Sequence, residues 1–340
     1  MKTILQSTLL IALSALLGCQ SLRAQTVNKL DVFGYNQQEG RVSTQIDSDG
    51  NRYVLATLQH TVGSFSGFQT IIIRQNTNLT LDTLFNYYSG GNYQQFYSMR
   101  ITSNRLYFIG SITQAFNWDT VTVSAGGSFQ EAQLFIADID GNPIKCINLH
   151  DYNETAVPID LEVKGSDIYI CGIRYSFPAK GFVTKVNENT TTSLNIWNYE
   201  FEVNYGNIGN SANMWVNNLA IDNSGIYVAG SYAGHPLFIA DSLHAADNNG
   251  FVAKLNFSGQ LQWAKGCFAA NNRSDMLGTA VGSDGNIYYA GRLKGDFTYG
   301  STTISASSNQ YNGLIMKLSP AGALLESVVY QGRRWIRSSH

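Results

Sequence analysis

Apolar and polar positions alternate along this chain in short runs, and two kinds of run return again and again. The first is a tight turn followed by an aromatic-rich segment: DSDGNRYVLA (47–56), TSNRLYFIG (102–110), KGSDIYICG (164–172), DNSGIYVAG (222–230) and GSDGNIYYAG (282–291). The second has alternation on both sides of a turn: IIIRQNTNLTLDTLFNYY (71–88), FIADIDGNPIKCINLHDY (135–152), FVTKVNENTTTSLNIWNY (182–199), FVAKLNFSGQLQWAKGCF (251–268) and LIMKLSPAGALLESVVY (314–330). A period of two predicts strands with one face toward a core. The Asp-Gly and Asn-Ser-Gly steps between them supply the positive φ angles of tight hairpins.

One turn-strand unit plus one hairpin unit makes a four-stranded sheet, and the pair recurs about every 60 residues, as Tyr53, Tyr107, Tyr169, Tyr227 and Tyr288 mark. A glycine stands three residues after four of these tyrosines (Gly110, Gly172, Gly230, Gly291), with Ala56 in the first copy. A place that admits only a small side chain predicts close approach of another backbone. A single sheet with two partly apolar faces cannot bury itself, whereas radial stacking buries both.

The expectation is therefore an all-β protein, a β-propeller of about five four-stranded blades in a closed or an incomplete ring. The blades are placed at about 41–92, 93–152, 153–207, 208–270 and 271–332, within a repeat domain of 25–340. The rival is a β-sandwich, which does not call for near-equivalent units. KLDVFGYNQQEG (29–40) reads like an outermost strand that would close a blade. Yet the last repeat owns such a strand in LLESVVY (324–330). Either the N-terminal strand adds at an edge, or the chain is part of a larger ring with an exposed edge.

Ahead of the repeats, Lys2 followed by the apolar run Leu9 to Leu17 has the form of a signal peptide, placed at 1–24. The run is too short to cross a ~30 Å bilayer as a helix. Leu16-Leu17-Gly18-Cys19 fits a lipoprotein signal with Cys19 acylated, and Arg23-Ala24-Gln25 fits an ordinary cut before Gln25. The first outcome leaves the chain anchored by lipid, the second free.

Composition agrees with an exported β protein: 14% charged residues, 12% aromatic and 32 glycines. The net charge of −2 becomes −4 once Lys2 and Arg23 leave with the leader. That leaves no basic footprint for a phosphate backbone, so nucleic acid is not an expected partner. Apart from Cys19, three cysteines remain, Cys146, Cys171 and Cys267. They read as buried thiols, with one pair such as Cys146 and Cys171 open to oxidation outside the cell.

Two segments, DGNIYYAGRLKGDFTYG (284–300) and GFVAKLNFSGQLQWAK (250–265), resemble the repeat of the bacterial extracellular seven-bladed β-propeller family, the SBBP-type repeats. The resemblance spans nearly all of the mature chain and is strongest in the last two copies. It implies a protein of the kind secreted by Bacteroidetes. Many such proteins end in a sorting domain of the type IX secretion system, and the QGRRWIRSSH that follows Tyr330 does not read as one.

The sequence offers no established catalytic motif: no G-x-S-x-G, G-x-x-x-x-G-K, H-E-x-x-H, C-x-x-C or dinucleotide glycine pattern occurs. The histidines His60, His150, His235, His244 and His340 lack ligand spacing, although His235 and His244 share a loop-like stretch with Asp241 and Asp247. Asp47 with Asp49, and Asp138 with Asp140, resemble the start of a calcium loop, but no bidentate Glu follows at the required distance. Asp160, Glu162 and Asp275 fall on predicted inner strands, where a propeller glycosidase would project its carboxylate pair.

The richer signal is aromatic. Tyr87, Tyr88, Tyr93, Phe96 and Tyr97 cluster between the first two repeats, and Trp197, Tyr199, Phe201 and Tyr205 after the third. Such rings beside amides suit a sugar face or a protein partner, and equally suit packing between blades. The function expected is a non-enzymatic exported binding or scaffold module, displaying a variable rim such as Ser231 to Asn249 to a protein or glycan, with no cofactor. The alternatives are a propeller glycosidase or lyase, and a fragment of a larger secreted repeat protein.

Overall fold

A computed structural model describes residues 39–62, 65–89, 94–125, 129–149, 154–189, 196–204, 212–238, 245–268, 273–307 and 310–330. The leader with Cys19 lies outside them, as do Tyr93, Tyr205 and nearly all of the strand expected at 29–40. No helix occurs among the described residues, and so none long and apolar enough to cross a membrane.

Five antiparallel sheets follow one another along the chain. The first is β1 (Glu39–Ile46), β2 (Arg52–Val62), β3 (Phe65–Gln75) and β4 (Leu81–Ser89). The second is β5 (Gln95–Ile101), β6 (Arg105–Ile112), β9 (Glu131–Asp138) and β10 (Pro143–Asn148), with a hairpin of β7 (Phe116–Trp118) and β8 (Val121–Val123) set between β6 and β9. The third is β11 (Ala156–Lys164), β12 (Asp167–Arg174), β13 (Lys180–Asn187) and β14 (Trp197–Phe201). The fourth is β16 (Asn213–Ile221), β17 (Ile226–Pro236), β18 (Ala245–Leu255) and β19 (Leu261–Cys267), with the short β15 (Val203–Asn204) added to β17. The fifth is β20 (Ser274–Val281), β21 (Ile287–Leu293), β24 (Asn312–Leu318) and β25 (Leu324–Tyr330), again with an inserted hairpin, β22 (Phe297–Tyr299) and β23 (Thr302–Ile304).

The first strands of consecutive sheets pack side by side: β1 on β5, β5 on β11, β11 on β16, β16 on β20. Five four-stranded meanders with their first strands innermost form a β-propeller. Two details differ from the sequence reading. The second and fifth blades carry an extra hairpin between their second and third strands. The rim expected over Ser231 to Asn249 is largely strand, because β17 and β18 run on to Pro236 and back to Ala245.

The small residue of each repeat has a definite cause. Every innermost strand carries a β-bulge, and the glycine faces it: Phe96 pairs Gly110, Pro158 pairs Gly172, Val216 pairs Gly230 and Met276 pairs Gly291 just before the register shifts. In the first blade Ala56 pairs Val42 just after the shift. A Cβ on Gly172, Gly230 or Gly291 would stand 2.2, 2.3 and 2.4 Å from the carbonyl oxygens of Val157, Trp215 and Asp275. No side chain fits at those distances, so the bulge and the glycine come as a pair.

Sheet faces bury one another in sequence. Tyr53 packs in the core between the first and second blades, Tyr107 between the second and third, Tyr169 between the third and fourth, Tyr227 between the fourth and fifth. Tyr288 occupies the same place in the fifth blade but is only half-buried, and on that far face Val328 and Tyr330 stay exposed. Among the described residues, no buried apolar cluster joins the fifth blade to the first. The three cysteines are free thiols, Cys171 and Cys267 buried and Cys146 partly so.

At the outer edge a polar clasp repeats at all four junctions. A donor on the outer hairpin of one blade reaches the carbonyl of the second residue in the outer turn of the next. Arg74 Nη1 donates to Ile139 O at 3.2 Å, Trp197 Nε1 to Phe257 O at 3.1 Å and Trp263 Nε1 to Pro320 O at 3.1 Å, while Lys145 Nζ donates to Glu188 O. The indole of Trp197 then lies on Gly259 and that of Trp263 on Gly322, both turn glycines at φ 80°. In the first blade the same turn position is Leu79, at φ 70° and exposed. Among the described residues no donor of another blade lies on that turn.

Leu79→Gly should raise stability by about 0.4–1 kcal/mol by removing the positive-φ penalty, whereas Gly259→Ala should lower it by more than that because the new methyl meets Trp197. Urea unfolding of both variants tests this; equal effects of one sign would contradict the clasp.

Candidate functional site

The innermost strands bring their polar residues together directly after the bulges. Asp160, on β11, is buried and accepts hydrogen bonds from Ser98 Oγ (2.7 Å), Arg100 Nη2 (3.2 Å), Asn218 Nδ2 (2.5 Å) and Leu219 N (3.4 Å). Glu162, two residues on and on the same face, accepts from Arg100 Nη2 at 2.9 Å. Asn218 continues the line, its Oδ1 accepting from Thr279 N at 2.7 Å. Three junctions are thereby laced across the centre, from β5 through β11 and β16 to β20. At the corresponding place in β20 stands Gly278, which has no side chain to continue it.

One guanidinium serves two carboxylates in this cluster. Burial opposes the Arg100 charge, but Asp160 and Glu162 outweigh it and hold the proton on more firmly than usual. Burial pushes the Glu162 carboxyl above its ordinary range against the pull of Arg100. Asp275 lies apart: it is buried in the fifth blade and accepts from Arg292 Nε at 2.7 Å, and no bond links it to the Asp160 cluster.

Asp47 and Asp138 have turn duties. Asp47 Oδ1 accepts from the backbone N–H of Asp49 and Asn51, and its Oδ2 from Asn51 Nδ2 and from Tyr53 OH at 3.2 Å. Asp138 repeats this with Asp140 and Asn142. Asp140 pairs with Arg74 across the blade junction, and Asp49 is exposed. Asp222 and Asp284 likewise hold their turns and accept from Tyr227 OH and Tyr288 OH. The repeat tyrosine is thus tied to the turn aspartate ahead of it in three blades. Among the described residues no group of three or more His, Cys, Asp or Glu side chains is assembled for a metal. His235 sits in β17, while Asp241, His244 and the side chain of Asp247 lie outside the described residues.

The aromatic candidates mostly pack between blades. Phe96 and Phe201 are fully buried. Tyr199 stacks edge-on to Phe201 at 4.9 Å, Trp197 forms the clasp, and Tyr97, the bulge residue of β5, packs against the third blade's core. Tyr88 is exposed. Tyr87 leans on Phe116 of the inserted hairpin, with ring centroids 4.1 Å apart, at the edge of a groove of about 420 Å³ between the first and second blades. Sequence reasoning missed Phe116 and Trp118 in that groove and Arg100 and Asn218 at the centre. Arg100 follows Ser98 on a predicted inner strand, and that spacing was the available signal.

No family model matches the chain, and no curated protein matches it in sequence. Solved structures of similar shape include a GH43_1 enzyme from Xanthomonas citri at 7% identity and TM-score 0.41, covering 85% of this chain and 91% of that one. A GH43 endo-arabinanase from Bacillus licheniformis matches at 11% identity and TM-score 0.36, covering 84% and 96%. The β-propeller domain of the Trilobed protease from Pyrococcus furiosus, which has an open velcro topology, matches at 10% and 0.35, covering 87% and 94%. The fold assignment here rests on strand order and blade junctions, and none of these proteins lends its chemistry to this chain.

Asp160→Ala leaves Arg100 buried with half its compensation and should cost about 3–5 kcal/mol, while Glu162→Gln should cost less. Denaturant midpoints of the two variants give the comparison, and a milder effect from Asp160→Ala would sink the assignment of Asp160 as the tie.

Hydrogen bonds hold the carboxyls of Asp138 and Asp284 below their usual range, and at Asp47 and Asp222 they outweigh an opposing effect of burial. Their folded pKa values are depressed, so they add stability above the unfolded value of about 3.9 and lose it as pH falls below that through the folded values. Melting temperature should hold steady from neutral pH to about 5 and fall steeply below about 4.

Proposed function

We propose that this chain is an exported, non-enzymatic β-propeller of the kind secreted by Bacteroidetes, acting as a binding or scaffold module at the cell surface or outside the cell. The observation that carries this reading is the state of the inner-strand carboxylates. Asp160 receives four donors, Glu162 is tied to the same arginine, and Asp275 is locked to Arg292. Hydrolysis of a glycosidic bond wants one acid and one base or nucleophile facing the substrate, about 5–10 Å apart. Here the buried Asp160 carboxylate is a structural tie between three blades. The rigid lacing of the inner strands and the clasped outer turns suit a platform that holds its surface still.

A second reading, a propeller glycosidase or lyase, rests on Glu162. A partly exposed carboxyl raised by burial is the form a general acid takes. The two readings separate on simple assays. The full chain expressed in a Bacteroidetes host should be processed at its leader and be degraded by protease added to intact cells. It should release no reducing ends from neutral oligosaccharides. Retention inside the cell would refute export, and turnover abolished by Glu162→Gln would establish the enzyme reading instead.

A further inference from the structure

The same inserted hairpin occurs twice, and comparing the two copies isolates a site. In the fifth blade, β22–β23 is sealed by the protein itself. Thr298 makes a backbone bridge to Phe268 of the preceding blade, Tyr299 OH donates to Gly322 O of the outer turn at 2.8 Å, and the hairpin turn is Gly300 at φ 58°. In the second blade, β7–β8 aligns Asn117 with Thr298, Trp118 with Tyr299 and Asp119 with Gly300. Among the described residues no backbone bridge ties this hairpin to the first blade, and the groove of about 420 Å³ stands where the fifth blade is sealed. That volume falls within the ~300–1,000 Å³ of small-molecule sites.

The polar groups lining the groove have valences to spare. The Asn86 amide accepts from Gln69, and the Asn117 amide from Thr122, while the amide nitrogen of each has no acceptor among the described residues. The Asp119 carboxylate has no donor there and the Trp118 indole N–H no acceptor, although Trp118 is almost wholly buried. Asp119 takes φ 51° in the two-residue turn. Asp and Gly both suit such a turn, and Gly300 in the fifth blade shows that the turn does not require a carboxylate. Tyr87, Phe116 and Trp118 supply aromatic surface beside these groups.

We infer that this groove between the first and second blades binds a short neutral saccharide, an inference that rests on the binding-module reading. Sugar hydroxyls both donate and accept, which matches two free amide nitrogens, one indole N–H and one carboxylate around a single space. The C–H face of a pyranose suits the aromatic rings. Charge selects the class. Asp140 at the edge is neutralised by Arg74, whereas Asp119 has no cation beside it among the described residues, so uronic and sialic acids are repelled.

The test is calorimetric titration of the full mature chain with cellotetraose, xylotetraose, mannotetraose and maltotetraose, with trigalacturonic acid as the anionic control. At least one neutral tetrasaccharide should bind with Kd near or below about 1 mM, and the anionic control should not. Asp119→Asn keeps the turn and Asn86→Ala is exposed. Each should weaken binding about tenfold with the melting temperature unchanged. Four neutral probes silent up to about 10 mM, or binding indifferent to both substitutions, would overturn the site. Release of reducing ends during the titration would instead refute the non-enzymatic reading while leaving the groove assignment standing.

Discussion

Everything in this molecule depends on bringing the inner strand of each blade into contact with the strand behind it and with the next blade at once. The bulge achieves this. It turns a carbonyl into the space where the second strand would carry a side chain, and that strand answers with glycine. The extra residue shifts the register so that the following side chain leaves its own sheet and reaches the neighbouring blade, as Asp160 does toward Leu219 and Asn218 toward Thr279. The backbone amides of inner strands, which have no further strand on the channel side, thereby find acceptors.

Much of the fold was legible in the chain because the repeat encodes local geometry. Alternation gave the strands, Asp-Gly steps gave the turns, and the invariant smallness after the tyrosine announced a close backbone approach that the bulges now explain. The inserted hairpins were not legible: Phe116 to Val123 and Phe297 to Ile304 are too short for alternation to stand out from loop composition. The site residues were harder still. Asp160 was readable as an inner-strand carboxylate, but its burial depends on Ser98, Arg100 and Asn218, which lie about 60 positions away in other repeats. The calcium-like aspartates show the converse, since a pattern shared by metal loops and Asx turns is settled only by where the oxygens point. The aromatic clusters were ambiguous for the same reason. Composition locates the rings without saying which face is already covered.

The two halves of the blade divide labour. Inner strands carry charge in buried, compensated form, and outer hairpins carry donors to carbonyls, two of them cationic and two indole N–H groups. A junction therefore has a polar tie at each radius with an apolar layer between, so sliding one blade along another breaks ties at both ends.

The clasp also has a direction. Each donor belongs to the earlier blade and each accepting turn to the later one, so a blade has a sending edge and a receiving edge that are chemically unlike. At the outer edge of the fifth blade Glu326 stands where Lys145, Trp197 and Trp263 stand in the second, third and fourth, and Lys317 stands where Arg74 stands in the first. Lys317 is paired with Asp284 of its own blade, and the outer turn of the first blade carries Leu79 where those of the second, fourth and fifth carry Gly141, Gly259 and Gly322. Each interior blade thus presents a donor to its successor and a carbonyl to its predecessor, so an interior blade could be duplicated with every clasp preserved, whereas one inserted in reverse would set donor against donor.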